Sequence, residues 1–302
     1  DGIYLPNTRW FLGEESKGKE ADSFAYQLAG LADIFVNDAF GSWQAHASTV
    51  GVTKYLPSYA GFLMQKEIQN LDRIYNPKRP FVAVVAGAKF DTKIDSLTAL
   101  LKTADNLILG GVIYNAYLCA KYSIQIKGIE AEDIQQAQSF VNFSKQYPGK
   151  LIELPHIIES ESMEGKLKGK YKTVDVRKLK KGDSLNYVLD VAKLSFKEKI
   201  VLDVFHNAQT IFVNAVMGYT PYFNEGTIAL DELIDDNLEA VKLYGGGDTM
   251  QELKRLLPGL YILALDNPNY YIFTGGGAVL KAIQEATYLG LEPVKALCMS
   301  VE

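Results

Sequence analysis

Phe81-Val82-Ala83-Val84-Val85-Ala86-Gly87-Ala88-Lys89 is the stretch on which the fold turns. Its apolar run ends in Ala86-Gly87, and helical spacing follows over residues 94–101. A short, valine-rich run bounded by glycine reads as a strand buried on both faces. The unit recurs downstream. Residues 107–109 form an apolar run ending in Gly110-Gly111, and residues 114–121 are again helical. Residues 151–154, 210–213, 241–244 and 271–273 supply further apolar strands, and helical patterns follow the last two. Strand–helix repetition of this kind predicts an α/β fold, with a mostly parallel sheet covered by helices on both faces.

Upstream, residues 31–36 read as a strand that stops at Asn37-Asp38, and residues 3–5 also look extended. Residues 61–75 have helical spacing, with Leu63, Ile68, Leu71 and Ile74 near one face. Asn76-Pro77-Lys78-Arg79-Pro80 then breaks the pattern, because two prolines so close cannot sit inside a helix. This is the expected domain boundary. Residues 160–185 are polar and lysine-rich without a clear period, and read as a surface excursion.

The chain has 302 residues, enough for two domains at about 150 residues each. A net charge of −5 leaves no global positive field for a nucleic acid. No apolar run approaches the ~20 residues a spanning helix needs. Cys119 and Cys298 form no CxxC pair and are expected to be buried and inert, which suits a reducing cytoplasm. The histidines His46, His156 and His206 are too scattered to make a metal site with them. The first residue is Asp1, not Met, so either the chain was cut or part of it lies upstream.

Ligands of parallel α/β sheets bind at the carboxyl ends of strands. The residues there are Gly87-Ala88-Lys89 with Lys93, Gly110-Gly111, Asn214, Gly245-Gly246-Gly247-Asp248-Thr249 and Thr274-Gly275-Gly276-Gly277-Ala278. Glycines opening helices let backbone N–H groups approach an anion, and the helix dipole favours negative charge there. Two triple-glycine turns with the Lys89/Lys93 pair form a phosphate-binding layout. Neither GxGxxG nor GxxxxGK[ST] is present, which argues against a dinucleotide oxidoreductase and a P-loop ATPase. Asp248 can cap its helix or hold Mg²⁺ on a nucleotide.

The strings resemble phosphoglycerate kinases. Leu5-Pro6-Asn7-Thr8-Arg9-Trp10-Phe11 is similar to the family's LENTRF segment. Asp33 to Gly41, followed by Ala45-His46-Ala47-Ser48-Thr49, is similar to VNDAFG…AHAS. The glycine turns fall in the family's order, and Leu291-Glu292-Pro293-Val294-Lys295-Ala296-Leu297 resembles its closing segment. The resemblance implies two Rossmann-like three-layer domains joined by a hinge that closes, the N-terminal one incomplete here. It implies residues 1–75 as a partial acid-substrate domain, 76–285 as the nucleotide domain and 286–302 as a returning tail. The implied reaction moves a phosphoryl group between MgATP or MgADP and 3-phosphoglycerate. Gly87, Lys89, Lys93, Gly111, Asn214 and Gly245 to Thr249 would bind the nucleotide, with Mg²⁺ on Asp248. Lys93, Gly275, Gly276 and Gly277 would serve the transferring group, and Arg9 the acid substrate. The resemblance implies a monomer located in the cytoplasm.

The sequence departs from the family's pattern in places. Nothing matches its RxDxNVP strand or SHLGRP loop, and its AHRAHAS loop is shortened to Ser42-Trp43-Gln44-Ala45-His46-Ala47-Ser48, without the His-Arg pair. Its WNGPMGVFE becomes Val213-Asn214-Ala215-Val216-Met217-Gly218-Tyr219-Thr220-Pro221, without a counterpart of the ribose-binding Glu, and Val112 replaces a glycine. A chain starting at Asp1 would have little kinase activity. An open N-terminal sheet edge would be covered by upstream residues or by another protein. The alternative function is an impaired, kinase-derived subunit acting as a nucleotide-binding or structural scaffold.

Overall fold

The computed structural model describes residues 2–300. In chain order its helices are α1 (Lys19–Ala29), α2 (Phe62–Tyr75), α3 (Ile94–Thr103), α4 (Gly111–Tyr122), α5 (Ala131–Ser144), α6 (Lys199–Asn207), α7 (Glu225–Asp236), α8 (Gly247–Leu256), α9 (Pro258–Asp266), α10 (Gly276–Glu285) and α11 (Glu292–Met299). Its strands are β1 (Phe35–Asn37), β2 (Ser58–Ala60), β3 (Phe81–Gly87), β4 (Asn106–Gly110), β5 (Gln125–Ile126), β6 (Leu151–Ile152), β7 (His156–Ser160), β8 (Tyr171–Asp175), β9 (Ser184–Leu185), β10 (Tyr187–Val191), β11 (Thr210–Asn214), β12 (Val241–Gly245) and β13 (Tyr270–Phe273). The chain divides into two compact units, Asp1–Tyr75 with Thr274–Glu302, and Asn76–Phe273.

The larger unit is built on a six-stranded sheet of order β13-β12-β11-β3-β4-β6, in which every pairing is parallel. From β3 the chain winds outward through β4 to β6, then returns to β11 and winds the other way to β13. The order therefore reverses between β3 and β11, which is where open α/β sheets form their ligand crevice. Right-handed crossovers in opposite directions place the helices on opposite faces. Residues 81–86 and 210–214 are buried throughout, as strands covered on both faces must be. This is the α/β architecture that the apolar runs predict.

Residues 160–185 lie mostly at the surface, as expected of an excursion, but they are not without structure: β8 joins an antiparallel sheet of order β10-β7-β8. β8 is held by its ladder to β7, yet none of its residues is fully buried. A strand with so little apolar burial has no hydrophobic period to read.

In the smaller unit, β1 and β2 form a two-stranded parallel sheet with Phe35 opposite Ser58. The expected strand over residues 31–36 begins only at Phe35, and the one over 3–5 is absent; Ile3, Tyr4, Leu31 and Ile34 are exposed. An apolar run becomes a strand only where a ladder partner meets it. The buried face of α2 is also turned from the expected one. Met64, Glu67, Leu71 and Ile74 point inward while Leu63 is exposed, so a carboxylate sits within the apolar stripe. Residues 274–285, expected with the nucleotide domain, fall in this unit because α10 packs on α2. Tyr75 Oη donates to Ala282 O at 3.3 Å across that contact. Among the described residues no helix is long and apolar enough to cross a membrane.

Candidate functional site

In the larger unit one lysine ties the switch point together. Lys93 occupies the N-cap position of α3, and its Nζ donates to Ala86 O at 2.5 Å and to Asn214 Oδ1 at 2.6 Å. Asn214 Nδ2 in turn donates to Gly245 O at 2.5 Å. The carboxyl ends of β3, β11 and β12 are thus linked by a single cation and a single amide. Burial pushes the Lys93 ammonium down to about 8, against the opposing charge of Asp248. A partly desolvated cation held by neutral acceptors has unspent capacity for an anion.

Glycine is required around it for two reasons. Gly111 opens α4 with φ +62°, and a Cβ there would stand 3.1 Å from Gly87 O. Gly246 has φ +119°, and a Cβ would stand 2.9 Å from Asn214 Nδ2 and 3.2 Å from Thr249 Oγ1. The starts of α3, α4 and α8 carry no side-chain cap, so their first N–H groups point to the crevice end unpaired by the helix. Gly246→Ala is expected to cost about 1–2 kcal/mol in stability through the positive φ. A melting curve beside that of the wild type measures the loss.

The structure gathers Gly87, Lys93, Gly111, Asn214, Gly245, Gly246, Gly247, Asp248 and Thr249 at the carboxyl edge of one sheet. Thr249 is buried, whereas Asp248 and Lys89 are exposed. The Lys89 side chain makes no hydrogen bond among the described residues. Met217 escaped the sequence reading as a site residue. Its sulfur packs on Gly110, where a Cβ would stand 2.6 Å away, and an isolated methionine in a loop carries no signal of that contact.

Gly275, Gly276, Gly277 and Arg9 belong to the smaller unit. Arg9 is exposed and pairs with Glu15 at 3.1 Å. Gly275 lies against Gly41, so that a Cβ on Gly275 would stand 2.7 Å from Gly41 Cα. Thr274 N donates to Glu67 Oε1 at 2.9 Å, which anchors the turn into α10. Glu67 also escaped the sequence reading. It is fully buried, its Oε2 has no partner, and burial raises its pKa. A carboxyl whose folded pKa is raised contributes stability below its unfolded pKa, and loses it as pH rises through the folded one. Glu67→Gln keeps an acceptor for Thr274 N without the charge. It should melt higher than the wild type at pH 8, with the difference vanishing toward pH 4.

Glu14 is a further buried carboxylate that the sequence did not flag. It accepts from Thr8 Oγ1 at 3.0 Å and from Ser48 N at 3.0 Å, stitching the segment around His46 in place. His46 stands 3.8 Å from Glu15, in a structural pair. Of the cysteines, Cys119 is buried and burial pushes its thiol up to about 11, but Cys298 is exposed, contrary to expectation. It lies on α11, whose inward face is taken by Pro293, Val294 and Leu297.

A doubly wound parallel sheet with its polar groups at the switch point defines the class: α/β proteins that take ligands at strand carboxyl ends. The family model described as phosphoglycerate kinase matches residues 1–286. The chain is 33% identical over 298 residues to the phosphoglycerate kinase of Borrelia garinii subsp. bavariensis, covering 97% of this chain and 71% of that protein. It is 36% identical over 290 residues to that of Desulforudis audaxviator, covering 94% and 69%. The solved phosphoglycerate kinase of Coxiella burnetii superposes with a TM-score of 0.75 at 30% identity, over 95% of this chain and 71% of that one. The chain belongs to the phosphoglycerate kinase family.

Proposed function

We propose that the chain carries out its family's glycolytic reaction, moving a phosphoryl group between MgATP or MgADP and 3-phosphoglycerate. The observation that carries this reading is Lys93, a half-buried cation bridging β3 and β11 at the switch point. Phosphoryl transfer is served by positioning and charge neutralisation, and an ionised carboxylate acceptor needs no proton abstracted. Lys93 can exchange a neutral acceptor for an oxygen of the transferring group. The amides at Gly111, Gly246 and Gly247 offer donors to the nucleotide phosphates, with Gly87, Asn214 and Thr249 shaping the crevice and Lys89 free to approach from solvent. In the smaller unit, Gly275, Gly276 and Gly277 offer amides to the transferring phosphoryl, and Arg9 offers charge to the acid substrate.

Among the described residues there is no cluster of three or more His, Cys, Asp or Glu suited to a metal. The exposed carboxylate of Asp248 fits a different arrangement, in which Mg²⁺ is held by one or two carboxylates and by the substrate's phosphates. Asp248 would hold that ion, which supplies neutralisation of phosphate charge. The scaffold alternative is not favoured, because relatives at 33% and 36% identity bear the kinase's name. The reading places the protein in the cytoplasm, acting on small molecules and as a monomer. A coupled assay with 3-phosphoglycerate and MgATP, each at millimolar concentration, tests it. Steady turnover that stops on chelation of Mg²⁺ is the expected result, and none from correctly folded protein overturns it.

A further inference from the structure

Trp43 sits in the loop after β1, and its indole covers the start of α10. Its Nε1 stands 3.0 Å from where a Cβ on Gly277 would be, with Cδ1 and Cε2 each at 3.8 Å. The loop is held there by the Gly41–Gly275 approach and by Ser42 N donating to Ala39 O at 3.0 Å. α10 has no side-chain cap, and its first turn closes only with Val279 N donating to Gly275 O at 3.0 Å. The N–H groups of Gly276, Gly277 and Ala278 precede that bond and have no partner within the helix. Trp43 Nε1 is likewise without a hydrogen-bond partner among the described residues. The half-buried indole N–H therefore stands beside three amides that the helix leaves unpaired, on the side where position 277 has no side chain.

We propose that Trp43 is a further catalytic residue of this site, whose indole N–H donates to the anionic group that the opening amides of α10 receive. The inference rests on the reading that Gly275 to Gly277 serve the transferring phosphoryl. Indole is a donor only, without charge. It adds a directed hydrogen bond and leaves the net charge around the anion unaltered. Its ring also excludes water from the Gly277 side of the turn, which strengthens the remaining hydrogen bonds. Gly277 is thereby required twice, to leave room for the indole and to expose its own amide.

Trp43→Phe keeps a ring and removes the N–H. A hydrogen bond to a charged group is worth roughly 10- to 100-fold. The variant should lose at least tenfold in kcat for MgATP and 3-phosphoglycerate, with the KM for MgATP within twofold and the melting temperature within about 2 °C. Unchanged kcat, or a loss matched by a fall in melting temperature, overturns the proposal. A second measurement reads binding without turnover. In a Trp10→Phe protein, Trp43 is the remaining tryptophan, and its emission should shift saturably with inorganic phosphate at millimolar concentration. Emission that ignores phosphate overturns the proposal as well. Should the wild type fail to turn over at all, the proposed function fails, and the emission titration still decides whether Trp43 attends an anion at α10.

Discussion

Lys93→Ala should lower turnover of MgATP and 3-phosphoglycerate by about 100- to 1,000-fold, the usual cost of deleting one preorganised charge-stabilising group. The melting temperature should stay within a few degrees. The lysine is a desolvated cation with no carboxylate bonded to it, so its removal relieves about as much as it takes away. The pH dependence gives the prediction a sign. In the free protein Lys93 titrates at about 8, below the ordinary 10.5. A bound phosphate raises that value, so above pH 8 the complex holds more protons than the free protein. MgADP affinity should then fall as pH rises past 8, by up to tenfold per unit, and the dependence should be absent in Lys93→Ala. The free protein should show the opposite trend in stability. Between pH 8 and 10.5 the unfolded chain holds more protons at this position, so stability from this group rises with pH over that window. Titration calorimetry and melting curves over pH 7–10 check both trends. Affinity that does not vary with pH would mean that Lys93 does not meet the phosphate.

Gly218→Ala is expected to be the most destabilising of the glycine replacements, costing about 3 kcal/mol. A Cβ there would collide with Phe223 O and stand 2.6 Å from Asp190 Cγ. Neither neighbour can give way. Phe223 is fully buried and closes the turn by donating its N–H to Tyr219 O at 3.0 Å. Asp190 is pinned by Gly226 N at 3.2 Å and by Val191 N at 2.8 Å, and burial pushes its carboxyl up to about 7. The strain falls on the loop that follows β11, so the variant should lose nucleotide binding along with stability. Urea unfolding would measure the first and calorimetry the second, and a loss under about 1 kcal/mol would show that the loop can open.

The two large-effect positions differ in how visible they were. Lys93 stands out in sequence because it follows a valine-rich strand and a glycine, in a chain where several other strands also end in glycine. Gly218 looks like any loop glycine, since nothing local announces a buried aspartate from β10 beside it. The same contrast runs through the site. Gly246 and Gly111 announce themselves by clustering at strand ends. Glu67 and Glu14 are charged residues in polar-looking stretches, and their burial comes from elements distant in the chain. Trp43 is equally silent: its neighbour Gly277 lies more than two hundred residues along the chain.

Short apolar runs, several of them ending in glycine, were sufficient by themselves to predict the parallel α/β core and to single out its carboxyl edge as the candidate ligand site. Their physical basis is local, since burial on both faces demands uninterrupted apolar side chains and a helix start at an anion demands glycine. Only the tertiary structure decided which strands find partners, which face of α2 turns inward, that α10 joins the smaller unit, and which polar groups are left unpaired at its start. These depend on surfaces brought together from remote parts of the chain, and no spacing within one segment encodes them.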